Sequence, residues 1–245
     1  MTKKKAPVVE EDEDSDDYDD EPNAAPKGSR FYHISFYAPY FNVTTFQVLD
    51  RLRRSLWPFC SKTSFYGDCK NIDLYGPIWI MLTLIVEIAI VGFINYQIDV
   101  ATLAIELKGG QIPHYQMAYY SLTKIARAGF VCIGYFIANP FLLMILIKYV
   151  LMVPDFEYLW IFSVYGYSFT IFIITTALNV LPIEWLKWVF LGVSGGVSLM
   201  FIVVEMYVYL KTELGQNFCK FILICLLLAF SHGIFVLALK KYFLT

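Results

Sequence analysis

Apolar residues in this chain fall into five long, nearly unbroken runs, unlike the mixed spacing of a soluble fold. The runs cover about Pro77 to Ile98, Ala126 to Ile147, Glu157 to Leu181, Trp185 to Leu210 and Phe218 to Leu239. Each matches the ~20 residues a helix needs to cross a hydrocarbon core. Only helices and closed barrels satisfy every backbone group in lipid, and runs this long and continuous read as helices. The pattern predicts an all-α integral membrane protein with five transmembrane helices and a partly disordered, cytosolic N-terminal region. A polar stretch of some 25 residues, including Lys108-Gly109-Gly110 and Pro113-His114, is expected between the first two spans. Trp79, Trp160, Trp185 and Trp188 fall near predicted ends, where amphipathic rings favour the headgroup level.

Upstream of the spans the pattern changes. Residues 1–30 read as a disordered acidic arm, and residues 31–72 as a cytosolic linker holding one short helix at about 44–57. The membrane domain occupies 73–245. Thr44 and Gln47 fit a capping box at the start of that short helix, in which each residue satisfies the other's backbone N–H. Phe46, Leu49, Leu52 and Leu56 then recur at helical spacing, with Arg51, Arg53 and Arg54 largely on the other flank. Such a helix suits an anionic membrane surface, and equally a dock on a partner or on the protein's own membrane domain.

Composition supports the membrane reading. The 245 residues are 58% hydrophobic and 18% aromatic, and mean hydropathy is +0.57. The net charge of −2 conceals an uneven distribution, because residues 10–21 hold ten of the 21 acidic residues. A run with so little to bury cannot offset its ordering entropy. It is expected to be a solvated tail, or a docking arm with Ser15 or Tyr18 as phosphoacceptors. No secretory leader is expected from so polar an N-terminus, which leaves the first span as its own insertion signal. With the N-terminus cytosolic, that side collects eight Lys and Arg against six on the other, a weak positive-inside signal because Arg51, Arg53 and Arg54 lie beyond the distance where the rule is strong. Cys60, Cys69, Cys132, Cys219 and Cys225 show no metal-ligand spacing and no paired framework.

Candidate chemistry is sparse. Glu87, Glu205 and His232 fall inside apolar runs, where ionisable groups are costly and mark functional or hydrogen-bonding positions. Gly192, Gly195 and Gly196 supply small residues for close helix packing in the fourth span, and Gly134 with Ala138 repeats the idea in the second. Asn139-Pro140 is expected to kink that helix. Tyr165-Gly166-Tyr167-Ser168 opens the third span and reads as an interfacial aromatic pair around a close-packing glycine. Asp73-Leu74-Tyr75-Gly76-Pro77 stands at the threshold of the first span. Pro77 suits a first helical turn, and Asp73 could cap the helix or favour its positive end. Nothing resembles a phosphate cradle, a nucleophile elbow or a nucleic-acid surface, so no enzyme activity, cofactor, metal site or nucleic-acid partner is expected.

The order DLYGP at 73–77, YGYS at 165–168 and GVSGG at 192–196 across five spans resembles the Yip-domain family of Ypt/Rab-interacting membrane proteins. The stretch YFNVTTFQVLDRLRRSLWPF, His114-Tyr115 and His232 resemble its Golgi branch in particular. The resemblance implies a cytosolic N-terminus, a lumenal C-terminus with almost no tail, and residence in Golgi and early secretory membranes. It further implies an adaptor in ER–Golgi vesicle transport that associates with Rab-type GTPases, prenylated ones included. Related Yip-family members, in homo- or hetero-oligomers, are further implied partners. On this reading Asp73 to Pro77 with Arg51, Arg53 and Arg54 form a partner-binding surface, while Tyr165, Gly166, Tyr167 and the glycines of the fourth span pack helices. The competing reading is a small transporter or channel built on Glu87 and His232.

Overall fold

The computed structural model describes residues 37–58, 72–106, 114–153, 158–211 and 218–243. The acidic arm, Cys60, Cys69 and the Lys108–Pro113 stretch lie outside these. A 3-10 turn at Ala38–Phe41 leads to α1 (Thr45–Leu56), followed by α2 (Tyr75–Glu106) and α3 (His114–Leu146). Then come α4 (Tyr158–Ser168), α5 (Thr170–Leu178), α6 (Glu184–Leu210) and α7 (Phe218–Phe243). The described residues contain no strand, and the structure is an all-α membrane protein.

Five helical stretches are long and apolar enough to cross a bilayer: Tyr75–Thr102, Ala126–Leu151, Tyr158–Leu178, Glu184–Leu210 and Phe218–Lys241. They coincide with the five runs in the sequence to within a few residues. One difference is local. Helix continues past the first span to Glu106 and resumes at His114, twelve residues before the second. The expected 25-residue polar loop is therefore mostly helix, since polar residues extend a helix as readily as apolar ones once it has nucleated.

In the bundle α2 lies against α3, α4 and α5, α6 packs on α5 and α7, and α7 closes back on α3. Leu84 and Ile88 of α2, Cys132 and Leu143 of α3, Phe172 of α5, Phe201 of α6 and Ile224 and Phe235 of α7 fill its interior. Lipid tails are as apolar as leucine, so the association is held by close packing and by polar contacts between helices. The third span is not one rod. It breaks at Phe169, whose amide bonds the Gly166 carbonyl, while the Ser168 and Thr170 hydroxyls donate to the carbonyls of Tyr165 and Tyr167. Helix α3 continues through Pro140, and the preceding Asn139 donates to the Tyr135 carbonyl at 3.5 Å. A π-helical turn, Ile147–Leu151, ends that helix at a left-handed Met152.

Two aromatic expectations need correction. Trp79, Trp185 and Trp188 face outward near span ends, but Trp160 is buried and stacks on Tyr209 with centroids 4.3 Å apart. Tyr165 and Tyr167, read as interfacial, are fully buried. YGYS also does not open the span. It sits at the break, seven residues and more past Tyr158, because the helix starts earlier than the motif suggests.

Candidate functional site

The residues singled out at the first threshold meet at one buried junction. Asp73 precedes α2, and its Oδ1 accepts the amides of Tyr75 at 2.7 Å and Gly76 at 3.2 Å. It thereby satisfies donors that every helix start leaves open. Its Oδ2 takes Arg51 Nη1 at 2.9 Å, with side-chain exposures of 3% and 0% for the pair. The Tyr167 hydroxyl donates to the same oxygen. One carboxylate thus joins three elements: it caps α2, holds α1 through Arg51 and holds the third span through Tyr167. The amide of Leu74 donates to the Tyr40 carbonyl at 3.0 Å, tying in the segment before α1 as well.

The glycines explain how the backbones come so close. A Cβ on Gly166 would lie 2.2 Å from Pro77 Cβ, and one on Gly76 would lie 2.1 Å from the Tyr167 hydroxyl. DLYGP and YGYS are therefore two halves of one contact. Gly166 receives Pro77, and Gly76 makes room for Tyr167.

Helix α1 has the capping box its sequence predicts, with Thr44 N to Gln47 Oε1 at 3.0 Å and Gln47 N to Thr44 Oγ1 at 3.3 Å. It packs against α4, α5 and α6. Self-docking is thus what the structure shows, and the docked face mixes Arg51 and Ser55 with Leu52, which packs on the core. Arg51 and Ser55 are buried, whereas Phe46, Leu49 and Trp57 face outward beside Arg53. Arg54 pairs with Asp50 one turn away at 2.7 Å. Of the eight residues proposed as a partner surface, Arg51, Asp73, Gly76 and Pro77 are inside the junction. Leu74, Tyr75, Arg53 and Arg54 retain accessible surface.

Elsewhere the polar residues inside the spans are dispersed. His232 Nδ1 lies 2.5 Å from the Tyr135 hydroxyl, within a ring cluster that includes Phe172 and Phe235. Replacing Tyr135 by phenylalanine is expected to cost about 0.6–1.7 kcal/mol, the range for hydrogen bonds between helices in lipid. Chemical unfolding of the purified protein measures it, and the loss should shrink when His232 is already phenylalanine. Glu205 is buried in α6. Glu87 is half-buried, with Oε2 lacking a hydrogen-bond partner among the described residues. A groove of about 360 Å³ between α6 and α7 touches His232 but not Glu87. The two residues proposed for a transport path do not share it.

The glycines of the fourth span also divide. Gly195 packs on Val236 of α7, while a Cβ at Gly192 or Gly196 would meet nothing within 4 Å. Gly134 likewise faces open space. Sequence reasoning missed a second polar tie: Asn95 of α2 donates to the Asn179 carbonyl at 3.3 Å, and Asn179 donates to Thr175 at 2.6 Å. Two asparagines at the far ends of apolar runs were the available signal. Beyond them Glu184 bridges Lys187 at 3.0 Å and Lys240 at 2.8 Å.

Five spans, a docked N-terminal helix and two interlocked glycine motifs define a multi-pass helical membrane protein. Protein YIPF1 homolog of Dictyostelium discoideum is 28% identical over 214 residues, covering 87% of this chain and 56% of its own length. The chain is similar to that protein, and it spans a little over half the length of that relative. No family model matches it, and no solved structure does.

Proposed function

We propose that this protein is a non-enzymatic membrane adaptor in ER–Golgi vesicle transport, associating with Rab-type GTPases and related Yip-family members. Its N-terminus faces the cytosol and its C-terminus the lumen in Golgi and early secretory membranes. The observation supporting this reading is the junction itself. The motifs that carry the resemblance build no reactive centre; they fasten an N-terminal helix to the membrane bundle and so shape one end of it. Buried Arg51, Asp73, Gly76 and Pro77 hold that end from behind. Leu74, Arg54 and the acidic arm are the surface a partner would meet, with Tyr75 and Arg53 at its membrane edge.

The test is proximity labelling in cells from an enzyme fused to the N-terminus. Rab-type GTPases, coat components or Yip-family proteins are expected among the labelled neighbours. Tyr75→Ala with Arg54→Ala should reduce their labelling several-fold while leaving the protein membrane-inserted. A neighbour set lacking all three classes would rule the reading out.

A further inference from the structure

We propose that α1 is a membrane-interface strap whose outward face, Phe46, Leu49 and Trp57, lies in the bilayer at the boundary between headgroups and tails. Three observations carry it. The first is the inverted orientation of the helix. The side facing the protein holds Arg51 and Ser55 with Leu52, while the larger apolar side chains lie on the opposite side. Phe46 is 85% exposed, Leu49 55% and Trp57 60%. A helix docked only to its own protein would turn those three rings and branches inward, where burial stabilises them.

The second observation is depth. Helix α1 packs on α4 and α5, and Arg51 holds it to Asp73, beside the first turn of α2 where Pro77 and Gly76 meet Gly166 and Tyr167. The strap is therefore level with the first turn of the first span, and it runs beside the third span, which begins eight residues before Gly166 at Tyr158. Whatever bathes the outer faces of those spans also bathes the outer face of α1.

The third is the neighbourhood. Tyr75 and Trp79, at the entry of α2, also face outward, with ring centroids 6.2 Å apart. Tyr and Trp mark the interface in membrane proteins, and Trp57 continues that belt onto α1. Arg53 lies among the apolar residues of this face, long enough to reach the headgroups while its stem stays among the tails. Asp50 and Arg54 occupy the adjacent flank and pair with each other. The Arg51–Asp73 contact then has a clear task. It gives the buried Arg51 guanidinium a counter-ion, so that the helix can rest at this depth without an uncompensated charge.

The test uses the full chain, with its native cysteines replaced, reconstituted into phosphatidylcholine vesicles containing phosphatidylserine. An environment-sensitive fluorophore is placed at Leu49→Cys, at Trp57→Cys or at Asp50→Cys. All three side chains lie away from the bundle, so labelling spares its packing. At positions 49 and 57 the emission should be blue-shifted and quenched by lipids brominated high on their tails. At position 50, aqueous iodide should be the stronger quencher. Iodide quenching without bromolipid quenching at 49 and 57 would overturn the proposal. So would shielding from both quenchers, which would mean that protein, including a second copy of this chain, covers the face. The purified chain alone is used, so the result is independent of any Rab or coat partner.

Discussion

Asp73→Ala is expected to cost about 3–5 kcal/mol of stability, because it leaves the buried Arg51 charge without its counter-ion. The same change removes the acceptor for the Tyr75 and Gly76 amides and for the Tyr167 hydroxyl. Each of these is a further loss, since an unpaired buried donor costs more than its bond contributed. Graded substitutions separate the roles. Asp73→Asn keeps a carbonyl oxygen for the cap but removes the charge, so it should fall between wild type and alanine. Arg51→Met in the Asp73→Asn background should recover part of the loss, because the uncompensated cation is gone. Equilibrium unfolding in mild detergent or nanodiscs reads all four. If Asp73→Ala were as stable as wild type, the carboxylate would not be the joint between α1, α2 and the third span.

The second large effect is expected at Gly166. Alanine there must displace Pro77, whose Cβ and Cα would lie 2.2 and 2.6 Å from the new methyl carbon. Pro77 cannot rotate away, because its ring is fused to the backbone of the first turn of α2. The loss should reach at least the ~1–3 kcal/mol typical of overpacking. Gly76→Ala meets Tyr167 instead, at the end of a ring. Its cost should be the smaller of the two, accommodated by tilting the ring and weakening its bond to Asp73. The double variant should be less than additive, because both changes open the same contact. Gly192→Ala and Gly196→Ala serve as internal controls, expected within about 0.5 kcal/mol of wild type because the added methyls meet open space. Thermal unfolding midpoints, with fluorescence-detected size exclusion for homogeneity, rank the set. A Gly166→Ala protein indistinguishable from these controls would refute the interlock.

What could be read from the residues alone was whatever depends on local order. Span positions follow from run length, and the capping box at Thr44 and Gln47 from spacing. The Asp73 cap follows from an acid at a helix threshold. What could not be read was which face meets which. A span that is apolar on all sides carries little directional signal, so nothing marked Tyr167 as the residue facing Asp73, 94 positions away. The same ambiguity put Trp160 at the interface when it is in the core, and left Gly192, Gly195 and Gly196 as one group when only Gly195 is packed. Arg51 was misplaced for a different reason. Spacing grouped it with Arg53 and Arg54 on one flank of α1, whereas the bundle takes Arg51 and Ser55 together with Leu52 and leaves Arg53 outside.

The break in the third span bears on the order in which the chain is made. Arg51, Asp73 and Pro77 leave the ribosome before Gly166 and Tyr167 exist. The first span therefore enters the membrane with its acid and its arginine lacking the tyrosine, and with Pro77 facing no glycine. Only when the third span arrives, its helix interrupted at Phe169 where Ser168 and Thr170 bond back along the chain, can the two glycine motifs close on each other. Completion of the early part of the chain is thus deferred to the later part. A nascent chain stalled before the third span carries an unsealed polar seam at its first, a visible mark that assembly is unfinished.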